Sequence, residues 1–225
     1  MAAEFRERLT AEERKAQILR CATTVFARSN YRVAGMAEIA REAGISEPTV
    51  YKHFASKKQL FITILERVGE STLRHWQELT ASSPDPLTLM RRIGLSQYEI
   101  VLARPDTLKV QFQALSEVED TEIRETLRRH FAAYRDFIAG VIERGKADGA
   151  FAADLNIGAA AWQLISIGFT LNLTTLLGFE HELNRETLEA MGDTLVVTFG
   201  AAPRPPSAPP KSPRRPQGKE RVSRS

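Results

Sequence analysis

The sequence holds a single cysteine, Cys21, in 225 residues. That excludes an intrachain disulfide and any site built on several thiolates, and it makes the reducing cytoplasm the expected home. No run amounts to the roughly 18 apolar residues of a membrane span. The longest candidate, Ile157 to Leu177, is interrupted by Gln163, Ser166, Thr170 and Asn172, so no membrane association is expected. Met1 to Arg8 contain no apolar stretch of the kind a secretory leader carries. No alternating β-branched run flanks an Asn-Gly or Asp-Gly turn, which argues against hairpins and sheets. Catalytic signatures are missing too. There is no Gly-x-Gly-x-x-Gly, Walker loop, Gly-x-Ser-x-Gly or His-Glu-x-x-His. No Glu-x-x-His pair supports a helical metal site. An enzyme, a resident cofactor and a bound metal are therefore not expected.

Charge is present but uneven. Residues 1–70 carry a net charge of +3, residues 71–200 carry −6, and residues 201–225 carry +6. An acidic middle is a poor ligand for a polyanion, so the ends are where nucleic acid would bind. Residues 201–225 hold seven of the eleven prolines and one large aliphatic residue, Val222. Such a segment buries too little apolar surface to offset its ordering entropy and is expected to be a disordered basic tail. It either touches DNA backbone or stays solvated.

The remainder reads as about nine helices, an all-α fold. Thr10-Ala-Glu-Glu13 fits a capping box opening the first helix, with Ile18, Ala22, Val25 and Phe26 on one face and Asn30 at its end. Met36 to Ala43 makes a short helix, and Gly44 suits a tight turn. Ser46 is placed to cap the next piece, with Pro48 in its first turn. Ser56-Lys-Lys-Gln59 is a second capping box that opens a long helix to about Thr80. Further starts are expected at Asp85-Pro86, Thr121, Asp154 and Asn184, with stops at Gly149, Gly178 and Gly200.

The densest signal lies between Ala34 and Leu60. Two short helices around a glycine turn make a helix-turn-helix, whose second helix would enter the major groove with its N-terminal residues at the base edges. Its exposed positions are Glu47, Pro48, Thr49, Tyr51, Lys52 and His53, with Val50 and Phe54 facing inward. Spacing alone also fits an ordinary helical hairpin with a solvated basic face.

Ile45-Ser-Glu-Pro-Thr-Val-Tyr-Lys-His-Phe-Ala-Ser-Lys-Lys-Gln-Leu60 resembles the recognition segment of the TetR/AcrR family of bacterial regulators. Ile39-Ala-Arg-Glu-Ala-Gly44 resembles that family's preceding helix and turn, and the leading helix fits as well. The resemblance implies a DNA-binding head over residues 1–60, a ligand-binding and dimerisation domain over 61–200, and the tail over 201–225. It implies a homodimeric repressor released from a palindromic double-stranded operator by a small, largely apolar effector. The alternative is an activator or architectural protein without an effector. By motif position Tyr51, His53 and Lys57 would hold phosphates, while Thr49 and Lys52 would meet groove or phosphate. Glu47 and Pro48 would face bases. Gly35 and Pro48 depart from the family pattern, which often has Thr and Gly there. Ser46 and Gly35 complete the expected DNA-facing set.

Aromatic residues Trp76, Tyr98, Phe112, Phe131, Tyr134 and Trp162 fall on the middle helices and are the candidate lining of an apolar cavity; plain core is the alternative for each. His75, His130 and His181 stand alone in sequence and read as ordinary surface or core residues. The last two helices are expected to form the dimer bundle, through Leu164, Ile167, Leu171 and Thr174–Thr175 on one and Leu188, Met191, Leu195 and Phe199 on the other.

Overall fold

The computed structural model describes residues 9–83 and 85–200. The expectations for the basic tail lie outside the described residues. Within them are nine α-helices and no strand: α1 (Ala11–Ser29), α2 (Met36–Glu42), α3 (Glu47–Tyr51), α4 (Lys57–Ala81), α5 (Pro86–Ala103), α6 (Pro105–Leu115), α7 (Thr121–Ala147), α8 (Ile157–Leu176) and α9 (Arg185–Thr198).

Most helix starts follow from local chemistry. Thr10 and Glu13 form the reciprocal capping box, with the Glu13 amide donating to Thr10 Oγ1 at 3.2 Å and the Thr10 amide to Glu13 Oε2 at 2.8 Å. Asp85, Asp120 and Asn184 cap α5, α7 and α9 through their side chains. Three starts differ from expectation. Asn156, not Asp154, caps α8, accepting from the Ala159 amide at 3.0 Å. A turn at 152–155 delays that helix: the Leu155 amide donates to Ala152, and Lys146 Nζ donates to the Leu155 carbonyl at 2.7 Å. Ser46 makes no side-chain cap; its hydroxyl pairs with that of Thr49 at 2.8 Å. Gln59 reaches the Ala55 amide at 2.7 Å, one residue before the partner a full capping box requires.

Two apolar cores organise the chain. The first joins Ile18, Val25 and Phe26 of α1, Ile39 of α2, Val50 of α3 and Leu60, Phe61, Ile64 and Leu65 of α4. It continues into Val110 and Ala114 of α6 and Ile123 of α7, so the head's core runs past residue 60 and into the body. The second holds Trp76 of α4, Ile138 and Ile142 of α7, Phe151, Ala160 and Ala161 of α8 and Phe199. Helices α4 and α7 contribute to both.

Candidate functional site

The head builds its recognition face from a tight turn. Gly44 has φ +65°, which an L side chain rarely adopts, and it follows α2 as the reversing residue. The Ile45 amide donates to Ala40 at 3.0 Å and the Gly44 amide to Arg41 at 3.1 Å. This is a Schellman closure, and Ile45 packs against the first core to complete it. Gln17 of α1 ties the turn down, its Nε2 donating to the Ala43 carbonyl at 3.0 Å. Helix α3 then begins at Glu47 with Pro48 in its first turn, where a missing amide costs little. Val50 is fully buried and Phe54 nearly so, which fixes the helix's rotation. Pro48, Tyr51 and Lys52 are left exposed and Glu47, Thr49 and His53 half-buried. Gly35 is the N-cap of α2, exposed, without a side chain to cap it. The nine residues expected to face DNA thus surround one short helix and the helix ends beside it.

Lys57 has more to do than the sequence suggests. Its ammonium donates to the Arg32 carbonyl at 3.0 Å and the Ala34 carbonyl at 2.9 Å, and lies 5.0 Å from the Tyr31 ring centroid. It therefore pins the α1–α2 loop. Lys58 turns to the body, 3.2 Å from Asp120 and 2.9 Å from Glu122. Those carboxylates, Glu122 foremost, raise its pKa.

The body encloses a cavity of about 390 Å³ between α4, α5, α6, α7, α8 and α9. Four of the six expected aromatics line it: Trp76, Phe112, Phe131 and Tyr134. Tyr98 and Trp162 do not, and Trp162 is 48% exposed on the outer side of α8. Trp76 and Tyr134 pack with centroids 5.2 Å apart, Phe112 and Phe169 stack at 5.4 Å. Burial raises the Tyr134 pKa, opposed by its hydrogen bond with Thr72.

Polar groups in the wall are few and mostly engaged. Gln97 donates to Asn172 at 3.2 Å, and Arg91 pairs with Asp193 between α5 and α9. His130 also lines the cavity, a placement its isolation in the sequence did not indicate. So do Gly94, Gly168 and Gly192, and a Cβ built on any of them meets nothing within 4 Å. Three facing glycines thus widen the space.

Of the residues expected at the dimer seam, Thr174 and Thr175 lie outside the cavity wall and the other seven are part of it. Leu164, Ile167, Leu171, Leu188, Met191, Leu195 and Phe199 all line the cavity. The exposed apolar residues of α8 are instead Trp162 and Leu173, with Leu177 at its C-cap and Phe169 at the cavity edge, stacked on Phe112; Phe179 and Val197 are also exposed. By length and composition α8 could cross a membrane despite its interrupting polar residues: it has 20 residues, a hydropathy of 1.2, and 17% of it is buried. Its apolar residues run all around, so periodicity could not choose the inner side.

Residues 18–64 match the model of bacterial regulatory proteins of the tetR family. Over 60 residues the chain is 47% identical to the HTH-type transcriptional activator FasR of Mycolicibacterium smegmatis, a match spanning 27% of each chain. Over 144 residues it is 26% identical to the HTH-type transcriptional repressor KstR2 of Rhodococcus jostii, spanning 64% of this chain and 71% of that one. The fold superposes on the regulator FadR of Bacillus subtilis, solved with stearoyl-CoA, at a TM-score of 0.68 and 16% identity, covering 82% of this chain and 96% of that one.

Proposed function

The chain belongs to the TetR family of DNA-binding transcriptional regulators, and on that premise we propose that it is a homodimeric repressor released from a palindromic operator by a largely apolar ligand. The observation that carries the ligand is the cavity, about 390 Å³ and lined mainly by aliphatic and aromatic side chains. A cavity of that size and character suits a small apolar molecule with few polar groups. The fold relative that holds stearoyl-CoA supports an acyl thioester as the first effector to try.

Release requires the cavity to communicate with α3. Helix α4 carries Lys57 at its start and Trp76 in the cavity wall. Helix α6 offers a parallel route. Phe112 lines the cavity, while its neighbour Gln113 brackets the end of α1, donating to Phe26 at 2.8 Å and accepting from Tyr31 at 3.0 Å. A ligand that prefers a tilted α4 or α6 would move the recognition helices off successive major grooves, which lie about 34–36 Å apart. The coupling is of the order of 1–3 kcal/mol in such systems.

Dimerisation is the simplest cover for the exposed stripe on α8, since a two-fold axis lets one patch meet itself. On the DNA side, Tyr51, His53 and Lys57 supply donors for phosphates, and Glu47 and Pro48 supply the base-facing surface.

The test begins with selection of bound DNA from a random pool. Stearoyl-CoA and shorter acyl-CoAs are then titrated against the selected operator. A ligand that releases DNA must itself bind more weakly when operator is saturating, by the same factor. Affinity for the thioester unchanged by saturating operator would exclude it as the effector.

A further inference from the structure

Gly69 stands mid-way along α4, in the stretch between the residues held by the first core and those held by the second. A glycine inside a helix costs about 1 kcal/mol relative to alanine, so its presence there needs a reason. The reason is steric. A Cβ built on Gly69 would lie 2.5 Å from His130 Cδ2, 2.6 Å from Nε2 and 2.7 Å from Cγ. The imidazole of His130, on α7, rests directly on the α4 backbone. By contrast the helical glycines at 94, 140, 168 and 192 face open space, and Gly145 meets Phe151, which is not in the cavity wall.

The same imidazole lines the cavity and stacks near Tyr134, with centroids 6.5 Å apart. Among the described residues it makes no hydrogen bond, although Gln97 and Asn172 in the same wall are paired with each other. So one side chain rests its Cδ2–Nε2 edge on the connecting helix and is also part of the cavity wall, with neither ring nitrogen engaged among the described residues.

We infer that His130 is the side chain that reads the ligand and passes its arrival to the head: an oxygen-bearing group on an apolar ligand, a carbonyl or hydroxyl, hydrogen-bonds the imidazole and draws it off Gly69, removing the support that holds α4 in its DNA-binding position. This rests on the reading of the cavity as the effector site. It adds the chemistry the effector carries and the contact through which it acts. The close seat is what makes the signal mechanical, because packed interfaces switch between discrete arrangements rather than deform smoothly.

The test separates the contact from the ligand. Three variants are compared with the parent for operator affinity with no ligand present: G69A, H130A and the double variant. A methyl at 69 must displace the ring, so G69A is expected to weaken operator binding about tenfold. Removing the ring in the double variant should recover most of that loss. Circular dichroism and thermal melts confirm that each variant is folded. A folded G69A that binds operator like the parent overturns the proposal, and so does a folded double variant no better than G69A.

A second pair reads the ligand. H130L keeps bulk without nitrogens and H130Q keeps a hydrogen-bonding group. With stearoyl-CoA as probe, H130L should hold operator yet resist release by at least tenfold, while H130Q is released. Equal release of H130L and parent overturns the sensing role. A parent that does not respond to stearoyl-CoA or to shorter acyl-CoAs counts against the proposed effector class, and the ligand-free variants then decide the His130 contact alone.

Discussion

Lys57 shows how one side chain can serve the fold and the interface together. Its two hydrogen bonds to Arg32 and Ala34 hold the loop that leads into α2. Tyr51, 48% exposed, has no such duty. The two therefore separate experimentally. Tyr51→Phe should leave the melting temperature unchanged and weaken binding to all DNA sequences alike. Lys57→Ala should do the same and also destabilise the head by about 1–2 kcal/mol, the scale of losing charge-assisted bonds at a half-exposed site. Anisotropy at several salt concentrations, with melts alongside, checks both; an unchanged affinity for both variants would remove these residues from the phosphate contacts. His130 gives a pH signature at the same scale. Burial holds its pKa below the ordinary 6.5, Arg129 acts in the same direction and Glu70 opposes. As pH falls through about 6.5, the unfolded chain takes up a proton that the folded chain resists, so stability declines with acidification. H130Q should flatten the stability profile between pH 7 and 5 relative to the parent. Cys21 is at the opposite extreme: burial and then Glu42 raise its thiol pKa, which keeps it protonated and unreactive near neutrality.

At the scale of helices and turns, glycine does two opposite jobs. Gly145 near the end of α7 would place a Cβ 2.2 Å from the Phe151 ring, so Gly145→Ala should cost about 1–3 kcal/mol by overpacking the second core. Gly94 and Gly192 face open cavity, so Gly94→Ala and Gly192→Ala should stabilise by roughly 0.5–1 kcal/mol each while narrowing the space a ligand uses. Chemical denaturation and effector affinity read the two consequences; a loss of stability in the second pair would mean those helices are not limited by glycine. The sequence was most legible where the physics is local. Thr10, Asp85 and Asn184 cap helices because a side-chain oxygen three residues from a free amide acts without help from the fold, and Gly44 marks its turn for a similar reason. Tertiary placement was less legible. Trp76, Phe112, Phe131 and Tyr134 were found in the cavity, but Tyr98 and Trp162 were not, because aromatic character does not state which side of a helix is enclosed. His130 carried no motif. The signal that could have found it was Gly69, an isolated glycine in a strong helical pattern, which implies close approach by something large.

For the whole molecule the decisive feature is the uncovered stripe of α8. Trp162, Phe169, Leu173 and Leu177 recur at steps of seven and four residues on one side, Phe169 at the cavity edge, while Leu171 on the other is 2% exposed. A contiguous apolar surface of this kind marks an interaction site on a soluble chain. A membrane would be the alternative cover for an apolar helix of this length. Two features favour protein: Asn172 is paired with Gln97 of α5, and α8 packs along α7, which commits one face of the helix to the body. Two copies meeting through α8, with Phe179 and Val197 at the margin, would form a helical bundle about a two-fold axis. The parent is expected to sediment at twice 25.2 kDa at micromolar concentration. Trp162→Glu and Leu173→Glu place a charge in the seam and should sediment as monomers. Val33→Glu, at a site 79% exposed in the head, should stay dimeric. The monomeric variants should also lose operator binding by orders of magnitude, although the head is untouched, because a single head meets only one half-site. A parent that is monomeric at this concentration would rule out the α8 dimer. Partition of the parent into lipid vesicles, abolished by the same Glu variants, would assign the stripe to a bilayer instead.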